Sequence, residues 1–457
     1  MEFKTVNPAT GEPIRTWRKM PSDEVMQTAQ LTQEAFQQWR RLSVAERVPY
    51  FRELAVVLRG NLADWAALIT TEMGKPITEA RAEIEKCAWM TEVYADNAES
   101  WLADEKVAAD GREHIVTFQP LGVVFSIMPW NYPFWQALRF AVPGLMAGNT
   151  SLLKHASNVT GCAFAIEEAF GKAGFPANVF RTIVPDYETV SALIASDIVQ
   201  GVSLTGSTEV GRHIGAEAGR HLKKVVLELG GSDPFIVLED ADVEFTARGA
   251  VTGRMVTAGQ SCIASKRFIV VEKIADAFTS RFTDLMGELK VGDPRDEATQ
   301  VGSLVNEAAV AELEEQLAQS VSLGARVLCG GERLSGKGCF FPPTVVTDTR
   351  CGMRLVDEEV FGPIAPIIRV QDEAEAVALA NASEFGLGGS VWTRDLARGE
   401  RVARQVESGT LFVNSITKSD PRMPFGGVKN SGLGRELSHF GLKEFVNVKG
   451  LNIYEHG

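Results

Sequence analysis

The chain has 457 residues, 45% of them hydrophobic and 23% charged, the balance of a soluble globular protein with two or three domains. Its formal net charge of -13 argues against nucleic acid as the main partner, because phosphate binding needs clustered Lys and Arg. The longest apolar stretch, Leu121–Gly148, is interrupted by Pro129, Pro133, Pro143 and Arg139, which argues against a membrane span.

The opening MEFKTVNPATGEPI has no apolar run behind a basic start, so no signal peptide is expected. Six cysteines without a CxxC pair read as free thiols in a reducing compartment, and the expected location is the cytoplasm. The six histidines show no ligand spacing, so no metal site is expected.

From about Ser22 to Ala108 the pattern is helical, with apolar residues at three- and four-residue spacing in Val48–Arg59 and Asn61–Met73. Pro49 suits the first turn of the former, where a missing N–H costs nothing. His114–Phe118 reads as a strand with no helix before the next apolar run, as in an arm reaching away from a core. A βα rhythm then begins: strand Val123–Ile127, helix Phe134–Ala147, strand end Ser151–Lys154, helix Gly161–Ala173, strand Val179–Val184, helix Thr189–Ser196 and strand Gly201–Thr205. The second half repeats it, with strands at Pro234–Leu238, Phe268–Val271, Arg326–Cys329 and Ile364–Val370. Its helices fall at Val243–Thr257, Ala275–Met286 and Ala308–Leu323. Such alternation implies mostly parallel sheets covered on both faces, with ligands at the carboxyl ends of the strands. The tail, Asn447–Tyr454, alternates like one more strand, to be paired with the earlier arm or with a neighbouring subunit.

Four segments hold residues able to do chemistry. Pro129-Trp130-Asn131 follows a buried strand, and an Asn there can offer an amide N–H to a developing oxyanion; an isolated Asn in a loop is more often a cap. In Val202–Gly211 a strand runs into Gly206, and Ser207 then opens a helix whose free N–H groups suit an anion, although a capped connection reads equally well. Glu228-Leu229-Gly230-Gly231 leaves an apolar strand through two glycines, a turn that can point the carboxylate into a cleft. Gly259-Gln260-Ser261-Cys262 lies between a helix and a strand, and its thiol needs a base or a positive environment to act. By contrast Gly331–Gly338 imitates a phosphate loop but lacks the final Ser or Thr, and reads as a polar turn.

In chain order, Pro129-Trp130-Asn131, Lys154, Thr205-Gly206-Ser207-Thr208, Glu228-Leu229-Gly230-Gly231, Gly259-Gln260-Ser261-Cys262, Glu359-Val360-Phe361-Gly362-Pro363 and Pro424-Phe425-Gly426-Gly427 resemble the aldehyde dehydrogenase superfamily over essentially the whole chain. Within it, Leu227–Val237 and Gly434–Gly441 are most similar to bacterial succinate-semialdehyde dehydrogenases. Ser232 departs from many relatives, which carry Lys there, but fits this branch.

The resemblance implies an α/β fold of two Rossmann-like parallel-sheet domains plus a small β oligomerisation arm. A cofactor-binding domain is expected over residues 1–104 and 121–229, a catalytic domain over 230–430, and the arm and tail over 105–120 and 431–457. It further implies that Cys262 attacks the aldehyde to give a thiohemiacetal, that the Asn131 side chain and the Cys262 backbone N–H hold the oxyanion, and that hydride transfer leaves a thioacyl-enzyme which Glu228 hydrolyses by activating water. Lys154 is expected at the adenosine ribose, Glu359 at the nicotinamide ribose with Phe361 packed near the ring, and Trp130, Gly206 and Ser207 also at the cofactor; ordinary core packing is an equal reading for Phe361. NAD-preferring relatives often carry Glu three residues after the Lys. Ser157 stands there instead and leaves room for a 2′-phosphate, so NADP is favoured over NAD.

Arg139 interrupts an apolar helix eight positions after Asn131, and a charge so placed needs a partner. An incoming substrate carboxylate is one reading, and an internal salt bridge the other. Ser419, Ser261 and Trp135 are expected to add two hydroxyls and an apolar wall, or to be ordinary loop and core residues. The expected substrate is a small aldehyde with a distal carboxylate, first succinic semialdehyde. Glutarate semialdehyde or an uncharged aldehyde are alternatives, as is a catalytically silent structural member of the family. Retention of Cys262, Glu228 and Asn131 speaks against silence, and Glu228 against a CoA-acylating relative. The resemblance also implies a homodimer or homotetramer.

Overall fold

The computed structural model describes residues 2–456. Its first sheet has six strands in the order Gly432–Leu433, Lys224–Glu228, Val199–Thr205, Val123–Met128, Thr150–His155 and Phe180–Thr182. All neighbours run parallel except Gly432–Leu433, which is antiparallel to Lys224–Glu228. Every residue of Val123–Met128 is buried, as expected where helices cover both faces of a parallel sheet. The chain leaves this central strand toward Thr150–His155 on one side and later returns to its other side as Val199–Thr205. The reversal opens a crevice at the carboxyl ends of those two strands, where Pro129–Asn131 and Gly206 stand.

A second sheet of seven strands runs Arg326–Cys329, Thr344–Thr347, Ile364–Val370, Ser265–Val271, Asp233–Val237, Ser390–Trp392 and Phe412–Val413, parallel apart from the first pair. A three-stranded antiparallel arm joins Val446–Ile453, Glu113–Pro120 and Glu105–Val107, so the tail pairs with the earlier arm of its own chain. Gly331–Gly338 is the turn region between two strands of the second sheet, as its composition indicated.

Three details differ from the sequence reading. The helix containing Pro49 begins at Val44, because Ser43 and Glu46 form a reciprocal capping box; Pro49 therefore lies inside the helix, past its first turn. The hairpin Glu2–Val6 with Pro13–Arg18 carried no strong alternation and was not expected. Residues 431–445 do not join the arm. Gly432–Leu433 pairs with Lys224–Glu228, helix Ser438–Glu444 packs on helices Ile77–Trp101 and Pro133–Met146, and Phe445 meets Phe140 edge to face at 5.6 Å. Burial of Leu437, Leu442 and Phe445 draws this segment onto the first core, and the arm strand starts at Val446.

Candidate active site

The crevice of the first sheet holds a cavity of about 1060 Å³ lined by Lys154, Ser157, Gly206 and Ser207, four of the residues expected at a cofactor. Ser207 caps helix Thr208–Arg220 by accepting from the Val210 N–H. A side chain at Gly206 would meet only Leu204, at 3.9 Å, so the lack of one leaves space for a ligand. Lys19 also lines the cavity, and neither it nor Lys154 forms a salt bridge among the described residues. Burial, with a smaller effect of Lys19, lowers the Lys154 pKa. Of the acidic lining residues, Asp186 is engaged in capping helix Tyr187–Ala195 through the Thr189 N–H at 2.9 Å. Two unpaired ammonium groups, the Ser157 region and the unpartnered Nδ2 of half-buried Asn158 fit an anionic, phosphate-bearing nucleotide. Lys19 was missed because a lone lysine after an unrecognised strand carries no motif.

Trp130, Glu359 and Phe361 lie outside that lining, toward the thiol. Trp130 meets Phe361 edge to face at 5.8 Å. Glu359 accepts from the Gly231 N–H at 3.1 Å and pairs with Lys266 at 2.9 Å. Lys266 is fully buried and also donates to the Ser261 and Cys262 carbonyls, at 2.9 and 2.6 Å. One ammonium thus ties Glu359 to the backbone of the cysteine loop. The signal for it was present in Ser265–Val271, where Lys266 and Arg267 interrupt a buried strand.

The cysteine loop is held from several directions. Thr257, Ala258 and Gly259 all have left-handed backbones, with φ of 53°, 54° and 77°. Two non-glycine residues in that region store strain that the surroundings must balance. Glu79 accepts from the Thr257 N–H at 2.8 Å and its hydroxyl at 3.2 Å. Gln260 accepts from the Val305 N–H at 2.9 Å. Arg254, fully buried, donates to the carbonyls of Ser265, Val360 and Gly362. A Cβ on Gly231 would stand 2.6 Å from the Cys262 carbonyl oxygen, so this glycine permits the close approach of the two loops.

Asn131 is buried against the same loop, its amide donating to the Gln260 carbonyl at 3.1 Å. The turn that carries it is fixed by Glu83, which accepts from the N–H groups of Phe134 and Trp135 at 2.9 and 3.0 Å. Glu83 is in turn paired with buried Lys75, whose ammonium stands 3.6 Å from the Tyr132 ring centre. An anion at a helix N-terminus is favourable, and here it aims the Asn131 turn at Cys262.

The Cys262 thiol and the Glu228 carboxylate lie near enough for each to raise or lower the other's pKa, and Glu228 Oε1 is buried without a hydrogen-bond partner. Burial, then the neighbouring Glu228, pushes the thiol pKa well up, so it rests protonated and needs a base. Burial also raises Glu228, against the opposing pull of Arg139. A protonated thiol beside a carboxylate with a free oxygen is what a thiol nucleophile and a general base require.

Arg139 is paired within the protein: its guanidinium meets Glu228 at 3.2 Å and Glu436 at 2.6 Å, and all three are almost wholly buried. Burial lowers its pKa, but Glu436 and then Glu228 outweigh that and leave it raised. The internal salt bridge, one of the two readings, is present. Glu436, missed in the sequence, is raised to about 7 by burial, less the pull of Arg139 and with a further push from Glu228.

Of the remaining expected substrate residues, Ser261 is buried beside Cys262, and Trp135 and Ser419 lie together around a different cation, Lys86. No helix among the described residues is long and apolar enough to cross a membrane.

Residues 1–451 match the aldehyde dehydrogenase family. A probable NADP(+) succinate-semialdehyde dehydrogenase of Synechocystis sp. is 47% identical over 98% of this chain and 99% of its own length. A succinate semialdehyde dehydrogenase [NAD(P)+] of Escherichia coli is 44% identical over 97% of this chain and 96% of its own. The crystal structure of succinic semialdehyde dehydrogenase from Streptococcus pyogenes, in complex with NADP+, superposes with a TM-score of 0.97 at 35% identity, covering 99% of this chain and 100% of that one. The chain belongs to the aldehyde dehydrogenase family.

Proposed function

Proceeding from membership of that family, we propose that this enzyme oxidises succinic semialdehyde to succinate with NADP+, and less well with NAD+. The observation that carries the chemistry is the convergence of the Cys262 thiol and a buried Glu228 carboxylate with one unpartnered oxygen, and Asn131 beside the same loop. The substrate and cofactor rest on the relatives named above, together with the unpaired Lys154 and Lys19 around Ser157.

Glu228 takes the thiol proton as sulfur bonds to the aldehyde carbon, giving a thiohemiacetal whose oxyanion is held by the Asn131 amide and the Cys262 N–H. Each such donor is worth about 3–4 kcal/mol in rate. When bound, NADP+ supplies the two-electron acceptor that takes the hydride from this carbon, leaving a thioester on Cys262. Glu228 releases the thiol's proton to solvent and then removes a proton from water, which attacks the thioester carbon; the C–S bond breaks, the acid leaves, and the Cys262 sulfur takes the proton back from Glu228. Arg139 and Glu436 hold Glu228 in place through both steps. Lys266 and Glu359 join the cofactor side to the cysteine loop.

We assign residues 1–104, 121–229 and 431–445 to cofactor binding, 230–430 to catalysis, and 105–120 with 446–457 to an arm for self-association. Exposed Val107, Val448 and Ile453 on that arm fit a second copy, giving a homodimer or homotetramer. Six cysteines without a disulfide fit a cytoplasmic setting.

The test is the initial rate of NADPH formation with succinic semialdehyde, compared with NAD+ as cofactor and with uncharged butanal as substrate. A kcat/KM at least tenfold higher for the semialdehyde with NADP+ supports the reading. Equal values for butanal remove the carboxylated substrate, and equal values for NAD+ remove the cofactor preference.

A further inference from the structure

The two donors assigned to the oxyanion stand on different segments. Asn131 follows strand Val123–Met128 of the first sheet, and Cys262 precedes strand Ser265–Val271 of the second. Their separation therefore depends on how the two sheets are held together, and neither segment fixes it alone. The Asn131 amide has two N–H donors. One bond, to the Gln260 carbonyl at 3.1 Å, orients the amide and leaves the second N–H for an incoming oxygen. Asn131 Oδ1 is buried without a partner among the described residues, so that single bond carries the orientation. What keeps Asn131 and Gln260 in register lies behind them.

Helix Ile77–Trp101 reaches both segments. Glu79 and Glu83 stand four residues apart on it, so they share a face, one above the other by roughly 6 Å along the axis. Glu83 accepts from the Phe134 and Trp135 N–H groups at 2.9 and 3.0 Å, at the start of the helix that follows Asn131. Glu79 crosses to the cysteine loop and accepts from the Thr257 N–H at 2.8 Å and hydroxyl at 3.2 Å. Thr257 has a φ of 53°, a backbone that its surroundings must hold, and Glu79 supplies two of the bonds that hold it. The Thr257 carbonyl in turn accepts from Gln260, from its backbone N–H at 3.0 Å and its side-chain amide at 3.2 Å. The contacts close into a ring: Glu79, Thr257, Gln260, Asn131, the Phe134 turn, Glu83, and one helical turn back to Glu79. The helix itself is anchored at its start. Lys75 pairs with Glu83, both of them buried, and the Ile77 N–H donates to the Pro294 carbonyl at 2.7 Å.

We propose that Glu79 and Glu83 are positioning residues of the oxyanion site, and that the helical turn between them sets the distance from the Asn131 amide to the Cys262 N–H. Their bonds go to Lys75, to Thr257 and to the start of helix Pro133–Met146, so they act through the segments they hold. A donor misplaced by about 1 Å costs on the order of 10²-fold in rate. This rests on the reading of Asn131 and the Cys262 N–H as the oxyanion donors, and the test separates the two.

The experiment measures kcat and KM for succinic semialdehyde, and the rate of Cys262 alkylation by iodoacetamide. The proteins are the wild type, Glu79→Ala, Glu79→Gln, Asn131→Ala and the double variant Glu79→Ala with Asn131→Ala. NADPH binding by fluorescence titration confirms that each has folded. Alkylation displaces iodide from a methylene carbon and develops no oxyanion, so it reports on the thiol alone. Glu79→Ala is expected to lower kcat about 10- to 100-fold, with KM and the alkylation rate changed by less than about threefold. Glu79→Gln keeps an acceptor oxygen for Thr257 and recovers most of the loss. In the double variant the loss falls well short of the product of the two single losses, because the spacing of two donors ceases to matter once one is gone. An unchanged kcat in Glu79→Ala, an alkylation rate that falls in step with kcat, or single losses that multiply in the double variant would each overturn the proposal. If Glu79→Ala does not bind NADPH, Thr257→Ala, which removes one of the two bonds, takes its place under the same criteria. A wild-type kcat in Asn131→Ala fails one step earlier, at the assignment of the donor itself.

Discussion

Replacing Arg139 with Met removes the one guanidinium shared by two buried carboxylates, at 3.2 Å from Glu228 and 2.6 Å from Glu436. Breaking a buried pair by deleting one partner costs about 3–5 kcal/mol. Each carboxyl loses the neighbouring positive charge that favours its ionised form, so both pKa values rise further. Glu228, already raised by burial, would then be protonated over more of the neutral range and unable to accept a proton. The expected result in Arg139→Met is a kcat at pH 7 lower by about 10- to 100-fold, equally for succinic semialdehyde and butanal, with partial recovery at alkaline pH. Stability carries the same sign. Burial holds the folded Glu436 pKa at about 7 against an ordinary 4.5, so it favours folding below pH 4.5 and that contribution is lost as pH rises through about 7. The variant extends the loss to higher pH, and its Tm should fall more steeply than the wild type's above neutrality. The assay is kcat against pH for both aldehydes, with Tm scans over the same range. A loss confined to the carboxylated substrate, with the pH profile unmoved, would refute the reasoning and return Arg139 to the substrate.

Asn131→Ala removes the amide that borders the cysteine loop and should lower kcat by about 10²- to 10³-fold, with NADPH binding retained in a fluorescence titration. Ser157→Glu places a carboxylate in the cavity with Lys154 and Lys19, and should raise KM for NADP+ at least tenfold relative to KM for NAD+, read from initial rates with each cofactor. Gly259→Ala drives a methyl into the Gly362 carbonyl at a φ of 77°, and neither backbone can yield; a loss of about 1–3 kcal/mol should appear in denaturant unfolding.

Local chemistry was legible in the sequence where it travels with a turn. Glycines and polar caps marked Gly206-Ser207, Glu228-Leu229-Gly230-Gly231 and the loop of Cys262, and buried strands such as Val123–Met128 stood out as apolar runs. What could not be read was pairing across the fold. Arg139 was plainly a charge in an apolar helix, but its partners lie 89 and 297 residues further on, at Glu228 and Glu436, and no pattern in the chain records that meeting. Lys86 was hidden for the opposite reason. Helix Ile77–Trp101 carries many charges, and only the fold separates the lysine that faces Trp135 from those facing water. The segment 431–445 was misplaced because two strand residues and a seven-residue helix are too short for periodicity to assign them to a layer.

The most direct test of the central claim is a rapid-mixing experiment on Glu228→Gln with NADP+ and succinic semialdehyde, followed by mass analysis of the peptide containing Cys262. Because Glu228 is assigned both the thiol proton and the hydrolytic water, NADPH should form more slowly than in the wild type and stop near one equivalent per chain, with the acyl group retained on Cys262. Sustained turnover in this variant, or an acyl group on any other residue, would contradict the assignment of Cys262 as nucleophile and Glu228 as base.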